Sequence, residues 1–495
     1  MTQDDIARLL AINDALPALH ISSVTEDSRR AAPGSLFVAV EGEKTDGHEF
    51  ARAAVAAGAG AILGARRISA LCGVPYIHYD RPRRAAALIA HALAGAPTER
   101  MTVIGVTGTN GKTSTACLVQ AVLKHAGYDC ANFGTLGYDL GNEQVDAPHT
   151  TPFGEDLAAL FHRAEQNGCR FAVMEVSSHA LAQDRTAGIA FSVGAFTNLT
   201  QDHLDFHETM DSYRAAKIKL FEMVRDRATR DQTAAPAFTV VNNEDPAAEH
   251  FAAIMPNACY RYGAGGDIYA EAMRFGADGA HFQIVSPWGG SQARIRLAGR
   301  HNVQNALCAA AVCAGLDMPL KTILEGLETL PRVPGRFEAV QADQPFQVIV
   351  DYAHTDDGLR NALQAARAVC KRRILVVFGC GGDRDKGKRP KMGAVAAELA
   401  DYSIITSDNP RTEDPCRILL DIEVGLQRGG KRKNDDYLVI ESRREAIVKA
   451  IALARPGDLV LIAGKGHENY QIIGIERHHF DDHETALAAL KERFQ

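Results

Sequence analysis

The stretch GTNGKTS (108–114) sets a lysine and two hydroxyl side chains directly behind spaced glycines. An apolar run, MTVIGVT, precedes it, and a helix-forming segment, STACLVQAVLKHAG, follows. Backbone amides in such a loop, with a helix N-terminus behind them, cradle polyphosphate. Lys112 would reach the terminal phosphates, and Thr113 would offer its hydroxyl to Mg²⁺. The spacing is G-x-x-G-K-T, from Gly108 and Gly111. The longer G-x-x-x-x-G-K-[ST] is not met, because Val106 stands at its first position. A second chemistry-bearing stretch, SDNPRTEDP (407–415), lies between the apolar run YSIIT and the helical CRILLDIEVGLQ. Asp, Asn and Pro suit a turn for backbone reasons, but a turn does not need Arg411. A carboxylate, an amide and a guanidinium so close together could hold a small molecule carrying both charges, and an amino acid is the simplest.

Two further stretches bear on metal chemistry. FAVMEVSSHAL ends a buried strand with Glu175, an oxygen ligand suited to a hard cation. AFTNLTQDHLDFH crowds Asp202, His203, Asp205 and His207 together. By itself this cluster reads equally as a zinc site or a polar loop; beside a phosphate loop, magnesium is the better reading.

These residues need elements to position them. In the last third of the chain, strands at FQVIVDY, RILVVFG, YSIIT, YLVI and LVLIAG alternate with helical stretches such as GLRNALQAARAV and REAIVKAIALA. That alternation predicts βαβ units and a mostly parallel sheet. Ligands bind beyond the carboxyl ends of such strands, where the loops DYAHTDD, GCGGDRDKG, SDNPRTED and GKGHE follow. Turn-rich AGAPTER (94–100) and LPRVPGRFE (330–338) predict boundaries, giving domains of 1–97, 98–335 and 336–495.

At 495 residues the chain is too long for one ordinary core. The net charge of -7 argues against nucleic acid as the main partner, and the basic RGGKRKND (428–435) reads as a solvated loop. Ten cysteines without a C-x-x-C pair suggest reduced thiols. Cys380 has no paired base in sequence, and RHHFDDHE (477–484) reads as a hairpin-to-helix turn before it reads as a metal site. MTQDDIARLL lacks a basic start and an apolar core, and ALCAAAVCAGL is too short to span a bilayer. A cytoplasmic, soluble, monomeric protein is expected, without membrane insertion.

GTNGKTS, MEVSSHAL, TNLTQDHLDFH, YRAAKIKLF, GRHNVQNALCA, VPGRFE, VDYAH, GCGGDRDKGKRP, DNPR and AGKGHE, in this order, resemble the ATP-dependent Mur ligases of peptidoglycan synthesis. TEDSRRAAPGSLFVAVEGEKTDG extends the resemblance toward the N-terminus. It implies an α/β protein of three domains: a UDP-binding α/β domain, a central P-loop ATPase-like domain with a mostly parallel sheet, and a C-terminal Rossmann-like domain.

The resemblance also implies roles. Gly108, Thr109, Asn110, Gly111, Lys112, Thr113 and Ser114 would hold ATP phosphates, Asn302 and Asn305 the adenine side, and Arg336 and Asp351 would reach ATP across the domain boundary. Thr113, Glu175, His203 and a carbamylated Lys217 would bind magnesium; unmodified lysine has no acceptor and could not. Lys112, Lys217, His203 and Arg336 would form the catalytic group. Glu26, Ser28, Glu43, Lys44 and Thr45 would hold the uridine nucleotide. His149, Thr150, Thr151, Ser177, Gln183 and Arg185 would hold a muramoyl-dipeptide end, with His149 standing where the family more often has Asn. Arg384, Asp408, Asn409, Pro410, Arg411, Gly464 and Glu468 would bind the incoming amino acid, implied to be meso-2,6-diaminopimelate. The implied reaction joins it to the D-glutamyl γ-carboxylate of UDP-N-acetylmuramoyl-L-alanyl-D-glutamate through an acyl phosphate. Three alternatives stand beside it: an L-lysine-adding ligase of the family, a folylpolyglutamate synthase-like ligase, and a non-catalytic nucleotide-binding protein of this fold.

Overall fold

The computed structural model describes residues 1–42, 45–67, 70–230, 236–276 and 279–494. Glu43 and Lys44 of the expected uridine contacts lie outside the described residues. Three α/β units carry the chain, in the fold class that the sequence predicts.

The first is built on a five-stranded sheet in the order Ser23–Thr25, Ser35–Ala39, Ala61–Gly64, Val74–His78 and Ala70–Leu71. All its pairings are parallel but the last. Ser35–Ala39 and Ala61–Gly64 are buried along their whole length, as parallel strands covered on both faces must be.

The central unit has eight strands in the order Cys259–Tyr262, Phe238–Asn242, Phe191–Phe196, Thr102–Thr107, Phe171–Glu175, Cys130–Gly134, Gly137–Asp139 and Gln144–Val145. Only the last two pairings are antiparallel. Thr102–Thr107 sits between Phe191–Phe196 and Phe171–Glu175, so the phosphate loop, Glu175 and the TNLTQDH loop leave one sheet edge side by side. One face is covered by the helices Lys112–His125, Arg300–Gly315 and Leu320–Thr329, the other by Gly154–Gln166 and Met210–Arg230. The small-residue run at 306–316 forms the last turns and C-cap of the buried Arg300–Gly315 helix, where alanines permit close approach. An antiparallel sheet (Tyr269–Gly276, Gly279–Ser286, Gly289–Ile295) completes this unit. Helix Pro82–Leu93 of the first unit packs on Gly154–Gln166 of the second. The contact is close enough that a Cβ on Gly154 would stand 2.3 Å from that of Ala87.

The last unit has six strands ordered Glu338–Ala339, Gln347–Asp351, Leu459–Ala463, Ile374–Phe378, Tyr402–Ile405 and Tyr437–Val439, parallel except at the first pairing. Each strand read from the sequence in this third is present. Among the described residues no helix is long and apolar enough to cross a membrane, and all ten cysteines are free thiols.

Candidate active site

Lys112 opens the helix Lys112–His125, and Gly111 caps it at φ 83. A Cβ on Gly108 would lie 1.8 Å from Thr197 Oγ1, and one on Gly111 2.4 Å from Asn305 Oδ1. Glycine is therefore a steric requirement at both positions. Lys112 Nζ donates to the Gly108 and Thr109 carbonyls at 2.9 and 2.8 Å, folding its head over the loop. Asn110 donates its backbone N–H to Asn198 Oδ1, and Thr109 Oγ1 bonds the Thr200 carbonyl.

Thr113 Oγ1 donates to Glu175 Oε2 at 2.9 Å and accepts from Arg336 Nη2 at 3.0 Å. Glu175, 2% exposed, also accepts from the N–H and hydroxyl of Thr135. Asp351 accepts from the Phe337 and Ala353 amides, and burial raises its pKa. Asn305 donates to Asn302, which donates to the Ala298 carbonyl. Thr113, Ser114, Asn302, Asn305, Arg336 and Asp351 line one cavity of about 380 Å³ between the central and last units.

Lys217, 1% exposed, donates to the Gly108 carbonyl at 2.9 Å and lies 4.4 Å from the Tyr213 ring centre. Burial, reinforced by Lys112, holds its pKa well below the ordinary lysine value. Lys112 is lowered too, by burial and Arg336 against the pull of Glu175. His203 takes a left-handed backbone at φ 54, and burial lowers its pKa to about 3. Burial works to raise Asp202, but His203, Lys388 and His354 outweigh it and keep the carboxyl ionised.

The zinc reading of this loop does not hold. His207 bonds Ser178 Oγ at 2.9 Å, and the one three-residue ligand group among the described residues is Glu41, Asp46 and His48. Arg66 pairs with both carboxylates there. The RHHFDDHE stretch forms the strand Glu476–His479 and the start of helix Asp482–Phe494. Cys380 is buried, and burial pushes its thiol up to about 12, so it is no nucleophile.

Near the first unit, Glu26 accepts from Arg83 at 3.1 Å and gives its N–H to Glu155, while Ser28 opens the 3₁₀ turn Ser28–Arg30. Glu26, Ser28, Arg83 and Phe153 are among the residues lining a second cavity of about 670 Å³. Thr45 accepts from Gly42 through its carbonyl. Thr150 bonds Thr135 at 3.2 Å, and Thr151 Oγ1 bridges the Glu175 carbonyl and Ser177 N–H. Ser177 Oγ caps the helix Ser178–Ala182. Arg185 donates to Gln183 and the Thr151 carbonyl and lies 4.2 Å from the Phe153 ring centre; burial lowers its pKa to about 10. His149 is exposed, its ring edge-on to Phe153.

In the last unit, Asn409 donates to Glu468 Oε2 at 3.0 Å and accepts from buried Lys465 at 3.0 Å. Glu468 is raised by burial. Burial also works to raise Asp408, but Lys465 and Arg443 hold it below its ordinary value. Gly464 at φ 126 passes so close that a Cβ would stand 2.7 Å from Asp408 Oδ2. Pro410 is buried, and Arg411 Nη1 donates to the Gly382 carbonyl at 2.7 Å. Arg384 is exposed and bonds the Asp383 carbonyl.

Several residues here were not singled out from sequence. Asp357 binds Asn110 of the phosphate loop at 2.9 Å, His354 and Lys388 face Asp202 at 3.8 and 3.9 Å, and Lys465 supports Asn409. Asp357 and His354 lie in DYAHTDD and Lys465 in GKGHE, while Lys388 opens the helix directly after GCGGDRDKG, so position after a strand was the available signal.

A phosphate loop in one unit and, in the next, a cluster of both charges in the loops after parallel strands suit an ATP-dependent ligase. Residues 20–93 match the Mur ligase family catalytic domain, 106–313 the Mur ligase middle domain, and 335–466 the Mur ligase glutamate ligase domain. The chain is 44% identical over 474 residues, 95% of each chain, to the UDP-N-acetylmuramoyl-L-alanyl-D-glutamate–2,6-diaminopimelate ligase of Bacillus licheniformis. It is 45% identical over 476 residues to that of Geobacillus kaustophilus, covering 96% of this chain and 95% of the relative. A solved structure of an enzyme of that name superposes with TM-score 0.68 at 32% identity, over 100% of this chain and 99% of the other. The chain belongs to the Mur ligase family.

Proposed function

We propose that the protein ligates meso-2,6-diaminopimelate to the D-glutamyl γ-carboxylate of UDP-N-acetylmuramoyl-L-alanyl-D-glutamate, consuming ATP, in cytoplasmic peptidoglycan precursor synthesis. The names of its full-length relatives support the substrates. The observation that carries the reading is the loop Asp408–Arg411, which sets a guanidinium beside carboxylates on the far side of the seam from Lys112.

The γ-carboxylate oxygen attacks the terminal phosphorus of ATP, and ADP leaves. The amine of the second substrate, having lost its proton, attacks the acyl carbon, and inorganic phosphate departs with its electron pair. Lys112 and Arg336 offset charge building on the transferred phosphoryl group. Asn302 and Asn305 bound the nucleotide side of the cavity. Glu26, Ser28 and Thr45 meet the uridine end, while Thr150, Thr151, Ser177, Gln183 and Arg185 line the path of the dipeptide.

Thr113, Glu175, His203 and Lys217 fit a hard divalent cation once Lys217 is carbamylated. Glu175 is buried yet receives only uncharged hydrogen bonds, leaving its charge for a cation. A lysine whose pKa is held low keeps a free lone pair that can attack CO₂ and lose a proton, giving an oxygen-bearing head. Magnesium, when bound, supplies neutralisation of phosphate charge.

The test is phosphate release in the presence of ATP, the UDP-dipeptide substrate and diaminopimelate. Release should require all three and be much slower with L-lysine. Release with a folate acceptor, or none with the UDP substrate, would overturn the reading.

A further inference from the structure

The hairpin of Tyr470–Ile473 and Glu476–His479 joins none of the larger sheets. Its second strand is exposed at every residue, and Ile475 at the turn is 94% exposed, so it adds little to the core. Four of its polar attachments go instead to the amino-acid loop. Gln471 Nε2 donates to the Asp408 carbonyl at 2.6 Å, and the Ile472 N–H donates to Asn409 Oδ1 at 3.0 Å. Arg411 N–H donates to the Ile472 carbonyl at 3.1 Å, and the Gly474 N–H donates to the Arg411 carbonyl at 2.7 Å. Arg411 is thus gripped at both its backbone groups.

The grip matters because Arg411 sits at φ 52, a left-handed conformation that a residue with a Cβ seldom adopts unaided. Released, the backbone would relax and carry the guanidinium away from Gly382 and the adjoining carboxylates. Such strain persists only where the surroundings over-determine it. We propose that the hairpin is a specificity device that fixes Arg411, with Gln471 as a positioning residue for amino-acid selection. This rests on the diaminopimelate reading above for the identity of the amino acid.

The test compares wild type with Gln471→Ala, Gln471→Glu and Gly474→Val. Glutamate keeps the shape of Gln471 but cannot donate. Gly474 has φ 62 with nothing within 4 Å of an added Cβ, so valine strains the turn without touching the loop. Hydrogen exchange of segment 407–414 without substrates should quicken in each variant. KM for diaminopimelate should rise about five- to tenfold, the equivalent of one net hydrogen bond, with discrimination against L-lysine falling alike. kcat and KM for ATP should stay within about twofold. Wild-type exchange and KM in all variants would overturn the proposal, as would quickened exchange with unchanged discrimination. A joint shift of every constant with a lowered melting temperature would reduce the hairpin to a structural role and overturn it too. If wild type prefers another amino acid, the diaminopimelate reading fails on its own. The variants then still decide the hairpin's role, through exchange and through KM for the preferred amino acid.

Discussion

Lys217 and Arg411 are both basic side chains, one buried and one half-buried, and their surroundings give them opposite uses. Lys217 is buried next to Lys112, so the charged form is disfavoured and its pKa is held well below the ordinary lysine value. Lys217→Ala should therefore lower kcat about 100-fold or more, the scale of removing a preorganised charge-stabilising group, while far-UV dichroism stays that of wild type. Short carboxylic acids should restore part of the rate by occupying the vacated carbamate position. Ligation at the wild-type rate would sink the carbamate role. Arg411 keeps its charge although burial and Arg384 lower its pKa, and a planar fork is suited to a distal carboxylate. L-Lysine lacks that carboxylate and would leave the guanidinium unpaired. A charge-assisted bond is worth about 1.5–3 kcal/mol, so Arg411→Ala should weaken diaminopimelate use roughly tenfold to a hundredfold or more. Competition between the two amino acids on both proteins checks this; full discrimination by Arg411→Ala would refute it.

At the scale of elements, the phosphate loop shows how a strand and a helix make a site from backbone. Gly111 must take φ 83 so that the helix starting at Lys112 can point its first N–H groups into the cavity. Asn305 Oδ1, from the buried helix Arg300–Gly315, fills the space where a Cβ would go. Gly111→Ala should raise KM for ATP about tenfold or more, since left-handed backbone alone costs about 1–2 kcal/mol for alanine. KM for diaminopimelate should hold; titration of ADP by calorimetry tests the same point without turnover. This loop was legible in the sequence because its chemistry is local: Gly108, Gly111, Lys112 and Thr113 are neighbours in the chain. So were the strands of the last unit, whose apolar runs are interrupted by polar loops at their carboxyl ends. What could not be read is long-range. Nothing near Asn110 announces Asp357, nothing near Asp202 announces Lys388, and the exposed strand Glu476–His479 gives no sign that its hairpin holds Arg411. Likewise nothing beside His207, a few residues past the TNLTQDH loop, announces that it turns to Ser178 from another strand end.

Across the whole molecule, the seam between the first two units is where pH should be felt. Helix Pro82–Leu93 carries His91 into it, 2% exposed, against Gly188 and the Phe161 ring. Neither ring nitrogen has a hydrogen-bond partner, and burial alone lowers its pKa to about 4. The unfolded chain would take up a proton near the ordinary histidine value, 6.5, while the folded chain resists until about pH 4. The unfolded state then binds more protons, so this contribution is fully present above 6.5 and falls away as pH drops through that window. At pH 5 the loss amounts to about 2 kcal/mol. Glu155, which binds Arg30 across the same seam, acts with the opposite sign. Burial raises it from 4.5 to about 7, so its contribution is lost as pH rises between those values. A single melting curve would mix the two, and a comparison separates them. His91→Leu replaces a partnerless polar ring by an apolar group and should melt at or slightly above wild type at pH 8. At pH 5 it should exceed wild type by several degrees, because only wild type carries the histidine penalty. Melting temperatures that run parallel for the two proteins from pH 8 to pH 5 would show that His91 does not set the acid limit of the seam.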